Sequence, residues 1–259
     1  MRWLSVLRVA VAAWLVVGIP LGAGAEIREG GESSRIIVTL NGRVLPPEEH
    51  TRLRVFIHEE MPSHRAAPIC RVTDNDARTT FGLTGWQLPV AGLPFVVNDG
   101  RAPASIQSGL SSALDRAAQT WENADPATQI SLVGTTTTAR ARYDGRNVIF
   151  WRALARGVIA AAYVWYDPFT GVVLDADMAF NTRVPWAVND PASGDCGGSP
   201  KAFDVQAVAT HEFGHWVGLD DLYETADSDL TMYGIVTVGE VKKVSLGTGD
   251  TLGALAAAP

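Results

Sequence analysis

The segment His211-Glu212-Phe213-Gly214-His215-Trp216-Val217-Gly218-Leu219-Asp220-Asp221 constrains this chain more than any other. Two histidines four residues apart stack on one face of a helix, about a turn from each other. Their imidazoles can then converge on one cation. Zinc suits such ligands, and a catalytic zinc takes three protein ligands and keeps one position for water. The spacing predicts a helix from about Val205 to Val217, capped by Asp204, with Val205, Ala209, Phe213 and Trp216 on its core face. Gly218 ends it where a left-handed residue permits a sharp turn. That turn can bring Asp221 back to the metal as third ligand, with Asp220 as its rival. Glu212 projects beside the histidine pair, placed to accept a proton from the metal's water as general base. H-E-x-x-H alone also occurs by chance, so the glycine, the acid ten residues after His211 and the following Thr231-Met232-Tyr233-Gly234 matter. Met232 is expected under the metal site as an apolar floor, not as a ligand.

The stretch before this helix reads as strands and one further helix. Ile106, Leu110, Leu114, Ala117 and Trp121 recur at spacings of three and four, which predicts an amphipathic helix over residues 105–123. Strands are expected at 93–98, 129–137, 147–151, 158–166 and 172–181, and residues 186–201 read as a loop. The result is an α+β domain with a mixed sheet. Residues 79–259 are assigned to this domain and 26–78 to an N-terminal extension or prosegment. Within that extension Arg35 to Leu45 reads as a hairpin around Asn41-Gly42, whereas residues 46–71 show no clear periodicity.

The chain opens with Arg2 and Arg8, an apolar run from Val9 to Ile19, and Ala23-Gly24-Ala25. This is the pattern of a secretory signal peptide over residues 1–25, too short for a comfortable bilayer span. No later stretch is apolar for long enough to cross a membrane, so a secreted chain without a membrane anchor is expected. A formal charge of −7 argues against nucleic acid as a partner, because phosphate binding needs a basic footprint. The two cysteines, Cys70 and Cys196, suggest one disulfide in an oxidising compartment, and their spacing does not make a structural zinc site.

Together, H-E-x-x-H-x-x-G-x-x-Asp and the later Met resemble the metzincin signature. Val208-Ala209-Thr210-His211-Glu212-Phe213-Gly214-His215 is similar to the matrixin branch, as are the turn Trp165-Tyr166-Asp167-Pro168-Phe169-Thr170-Gly171 and the strand Asp175-Ala176-Asp177-Met178-Ala179-Phe180-Asn181. The resemblance covers roughly residues 85–253. It implies a metzincin catalytic domain, with a twisted mixed sheet, long helices and a cleft. It also implies a zinc-dependent endopeptidase acting on proteins or peptides. Residues 158–166 would then be the edge strand of the cleft, to which an extended substrate adds by backbone hydrogen bonds. Matrixins usually have His where this chain has Asp221; the snapalysin-like metzincins have Asp. Structural calcium is a further implication, with Asp175, Asp177 and Asp190 as candidates. Many matrixins hold latency through a prosegment cysteine on the zinc, in a Pro-Arg-Cys-Gly context. Pro68-Ile69-Cys70-Arg71 does not match it, which favours the disulfide. The reading from a different class is a catalytically inactive metzincin-like domain that serves as a binding module.

Overall fold

The computed structural model describes residues 35–37, 51–60, 74–189, 199 and 201–258. Residues 1–25, expected to be a signal peptide, most of the expected 35–45 hairpin, Cys70, Cys196 and Asp190 lie outside them. Among the described residues no helix is long and apolar enough to cross a membrane. The strands are β1 (Arg35–Ile37), β2 (Arg52–Glu60), β3 (Gly82–Leu83), β4 (Leu93–Val97), β5 (Ile130–Thr135), β6 (Asn147–Arg152), β7 (Val158–Tyr166), β8 (Val173–Asn181), β9 (Trp186–Ala187), β10 (Phe203–Asp204), β11 (Leu219–Asp220) and β12 (Ile235–Val236). The helices are α1 (Leu110–Ala124), α2 (Val205–Val217) and α3 (Thr248–Ala257).

One mixed sheet runs β1-β2-β7-β8-β6-β4-β5, with β12 added to β2. The architecture is α+β, as expected. β6 reads as an unbroken apolar run because both its faces are covered; only its last residue, Arg152, is exposed. Helices α1 and α2 cover one face. Leu110, Leu114, Ala117 and Trp121 point from α1 into the main core, and the Trp121 indole N–H donates to the Thr210 carbonyl at 2.7 Å. The expected helix over 105–123 starts later, after Gly109, in whose place a side chain would press on Val188 at 3.0 Å. Ile106 is buried all the same, from the turn before the helix, so its place in the apolar periodicity does not make it helical.

Two expectations need correction. Residues 52–60, where no period was read, form the nine-residue strand β2. Strand β7 in turn is no edge. It pairs antiparallel with β8 on one side and with β2 on the other, from Arg52↔Tyr166 to Glu59↔Val158. Its small residues Ala160, Ala161 and Ala162 are buried beneath that partner.

On the sheet's other face a loop over residues 139–146 is held by two carboxylates of β8. Asp177 accepts from the Val148 N–H at 2.7 Å and from the Arg142 N–H at 2.8 Å. Asp175 accepts from the N–H groups of Asp144 and Gly145 at 2.8 and 2.7 Å. Burial pushes the Asp177 carboxyl up to about 8 and Asp175 to about 6, against the pull of those amides. Two of the residues considered for calcium therefore serve as anchors for backbone amides. Replacing Asp177 with Asn turns one acceptor into a donor that faces an amide N–H. The expected cost is about 1–3 kcal/mol, a fall of roughly 3–10 °C in thermal midpoint at this size. Calorimetry of Asp177→Asn beside the wild type checks it; an unchanged midpoint would show that the loop does not depend on this anchor.

Candidate metal centre

The site is built on α2. The Asp204 carboxylate accepts from the Ala207 N–H at 2.7 Å, closing the helix's first turn, and is itself fixed by the backbone and side-chain N–H groups of Asn189. Every residue of α2 is buried, including the polar Gln206, Thr210, His211, Glu212 and His215, so the helix lies in the core. Gly218 stops it at φ 124°, a backbone angle that a side chain rarely permits, and its N–H bonds the Gly214 carbonyl. A Cβ at Gly218 would run into the Trp86 carbonyl, so close packing also requires glycine there. The chain then reverses into β11, which pairs with β3, and delivers Asp221.

Three ligand-capable atoms meet at this point. His211 Nε2 and His215 Nε2 are 3.2 Å apart, and Asp221 Oδ1 lies 3.2 Å from the first and 3.5 Å from the second. Zinc bonds of ~2.0–2.1 Å in a tetrahedron put neighbouring ligand atoms about 3.3 Å apart, so the triangle fits that ion. The chemistry of the atoms fits as well. His211 Nδ1 is 2.7 Å from the Thr231 carbonyl and His215 Nδ1 is 2.9 Å from that of Leu219. Each carbonyl needs a donor, which places the ring proton on Nδ1 and leaves Nε2 with a free lone pair. Burial holds both imidazoles below their ordinary range, His215 at about 4, which keeps them neutral. The Asp221 side chain is almost fully buried, with the Tyr223 side chain at its carboxylate. Asp220 points elsewhere: Arg54 grips both its oxygens at 2.7 and 2.8 Å.

Glu212 is wholly buried beside this triangle, where the Ala162 N–H of β7 reaches its carboxylate. Burial, and then the charge of Asp221, push its carboxyl well above the usual range. Such a group has a strong tendency to take up a proton. One oxygen faces His58 Nδ1 at 3.4 Å.

The floor comes from the loop after β11. Met232 is buried, and its sulfur packs so closely on α2 that a side chain at Gly214 would overlap it. Asp250, in the first turn of α3, fixes this loop by accepting from the N–H groups of Thr231 and Met232 at 2.8 and 3.0 Å, and of Gly247 at 2.8 Å. The His211 ring is thereby held at second hand, since its carbonyl partner belongs to Thr231.

Sequence reasoning singled out His211, Glu212, His215, Asp221 and Met232, and the structure brings them together. It missed His58, Lys243 and Asp250. For His58 the signal was present: Leu53, Val55 and Ile57 alternate with Arg54, Phe56 and His58, the two-residue period of a strand. Lys243 is buried, with its ammonium group donating to the carbonyls of Tyr233 and Ile235 and standing 3.3 Å from His58 Nε2. No local pattern marks it.

Among curated proteins none matches this chain. A family model described as matrixin, peptidase M10, matches residues 107–256, more than half of the chain. The match contains the histidine pair, Glu212, Asp221 and Met232. The chain belongs to the matrixin family of zinc metallopeptidases.

Proposed function

We propose that this protein is a secreted zinc-dependent endopeptidase, with His211, His215 and Asp221 as the zinc ligands and Glu212 as general base. The observation that carries the reading is the triangle of Nε2, Nε2 and Oδ1 atoms with edges of 3.2 to 3.5 Å, beside a buried glutamate. Zinc, when bound, supplies Lewis-acid polarisation of the scissile carbonyl and a water of lowered pKa. Glu212 takes the proton from the attacking water and passes it to the leaving amine. The carbonyls of Thr231 and Leu219 hold the two rings in the tautomer and orientation that this requires. Asp221 brings a negative charge where matrixins usually have a neutral imidazole, so the water at the centre is less acidified than beside three histidines. Peptide is the substrate class that the family implies, and an extended chain could pair with the β7 backbone only in the place that β2 now holds. The basic N-region, short apolar run and Ala23-Gly24-Ala25 support export.

The ligand set is tested by equilibrium dialysis against zinc. Asp221→Ala is expected to lose at least ~100-fold in affinity, more than an outer-shell change costs, whereas Asp220→Ala stays within a few-fold of wild type. Equal retention in both variants would reject Asp221 as the third ligand. Glu212→Gln is expected to keep about one zinc per chain and to lose casein hydrolysis by ~100-fold or more over a long incubation. Activity retained in that variant would assign the base elsewhere. On the acid side turnover should fall as Glu212 becomes protonated. A pH–rate profile with its optimum well below about pH 6 would contradict the assignment.

A further inference from the structure

We infer that β2 is an internal occupant of the substrate cleft, and that His58 is the side chain by which it closes the metal centre. The inference rests on the peptidase reading above. A substrate peptide would add to β7 as an extended strand; β2 holds that place already, antiparallel to β7 over Arg52–Glu59. Its far end is clamped from the other side, since β12 runs parallel to it with Ile235↔Glu59 and Val236↔Glu60. The strand is thus threaded between β7 and the segment that follows the floor methionine.

The side chains of β2 give the same answer. Arg54, Phe56 and His58 share one face, and each lies on a different member of the site. Arg54 holds Asp220, the neighbour of Asp221, through both carboxylate oxygens. Phe56 stacks on the His215 ring, with centroids 3.8 Å apart and planes 11° from parallel. His58 lies on the His211 ring with centroids 3.8 Å apart, and its Nδ1 faces Glu212 Oε1 at 3.4 Å. Its other nitrogen is 3.3 Å from the ammonium of Lys243. Phe56 and His58 have no exposure, and the other residues of β2 are half-buried or exposed. The strand therefore buries deeply only the two rings that cover the two histidines. With His58 against it, Glu212 cannot present that oxygen to an attacking water. The residues that match the family model contain the ligands and the base but not β2.

Two variants of the full chain test this, His58→Ala and Val55→Pro. The proline lies opposite Tyr163 and disturbs the pairing of β2 with β7 without replacing a ring on the site. The deciding measurement is the rate at which a chromophoric chelator removes zinc from the loaded protein. A site open only part of the time is reached in proportion to its open fraction, so both variants should release zinc at least about tenfold faster than wild type. In Val55→Pro a synthetic peptide of residues 51–60 should slow release again. Release at the wild-type rate in both variants overturns the inference, and so does fast release that the peptide does not slow, because β2 would then be structural only. If Val55→Pro does not fold, His58→Ala decides by its release rate. Casein hydrolysis is read in parallel: a gain that Glu212→Gln abolishes supports both readings. Fast, peptide-sensitive release without hydrolysis in any variant keeps the occluding strand and refutes the peptidase.

Discussion

The candidate centre depends on a requirement of coordination chemistry: two imidazoles that are to offer Nε2 to a metal must place their remaining protons on something else. The Thr231 and Leu219 carbonyls meet it, and each commits a stretch of chain. Leu219 can turn its carbonyl toward His215 because Gly218 reverses the chain directly after α2, and the same reversal delivers Asp221. Thr231 is held by Asp250 from α3 and by its own hydroxyl on the Ser245 carbonyl. The C-terminal helix, remote in sequence from the histidines, thus sets the angle of one of them.

The centre is a concentration of polar groups in an apolar interior, which is tolerable only with close pairing. His58, His211, Glu212, His215, Lys243 and Asp250 have at most about 1 % exposure. Phe56, stacked on the His215 ring, helps to keep water out. That exclusion makes the carboxyl of Glu212 hard to ionise and the imidazoles hard to protonate, two shifts that suit a base and a pair of metal ligands.

Much of this was legible in the sequence, because helix geometry and capping act over a few residues. The bounds of α2, the Asp204 cap and the Gly218 stop follow from short spacings, whereas the preference for Asp221 over Asp220 leaned on the matrixin resemblance. Strand β7 was also found at its observed bounds. Its neighbour was not, because strand pairing is a long-range choice: β2 and β7 are some hundred residues apart in the chain. A hydrophobic pattern marks a strand, but not the edge it will take. Asp250 and Lys243 escaped for the same reason, since their partners lie 18 or more residues away or on another element.

The position of β2 has a consequence for the chain's solubility. A nine-residue strand of small and aromatic side chains, Val158-Ile159-Ala160-Ala161-Ala162-Tyr163-Val164-Trp165-Tyr166, is the type of flat apolar border along which sheets of separate molecules join. With β2 in place that border is sealed, and the outer side of β2 is covered in turn by β1 and β12. A chain stripped of the strand would carry an open template for self-association at the mouth of its own cleft. The segment over the candidate metal centre would thus also deny neighbouring copies the border of β7.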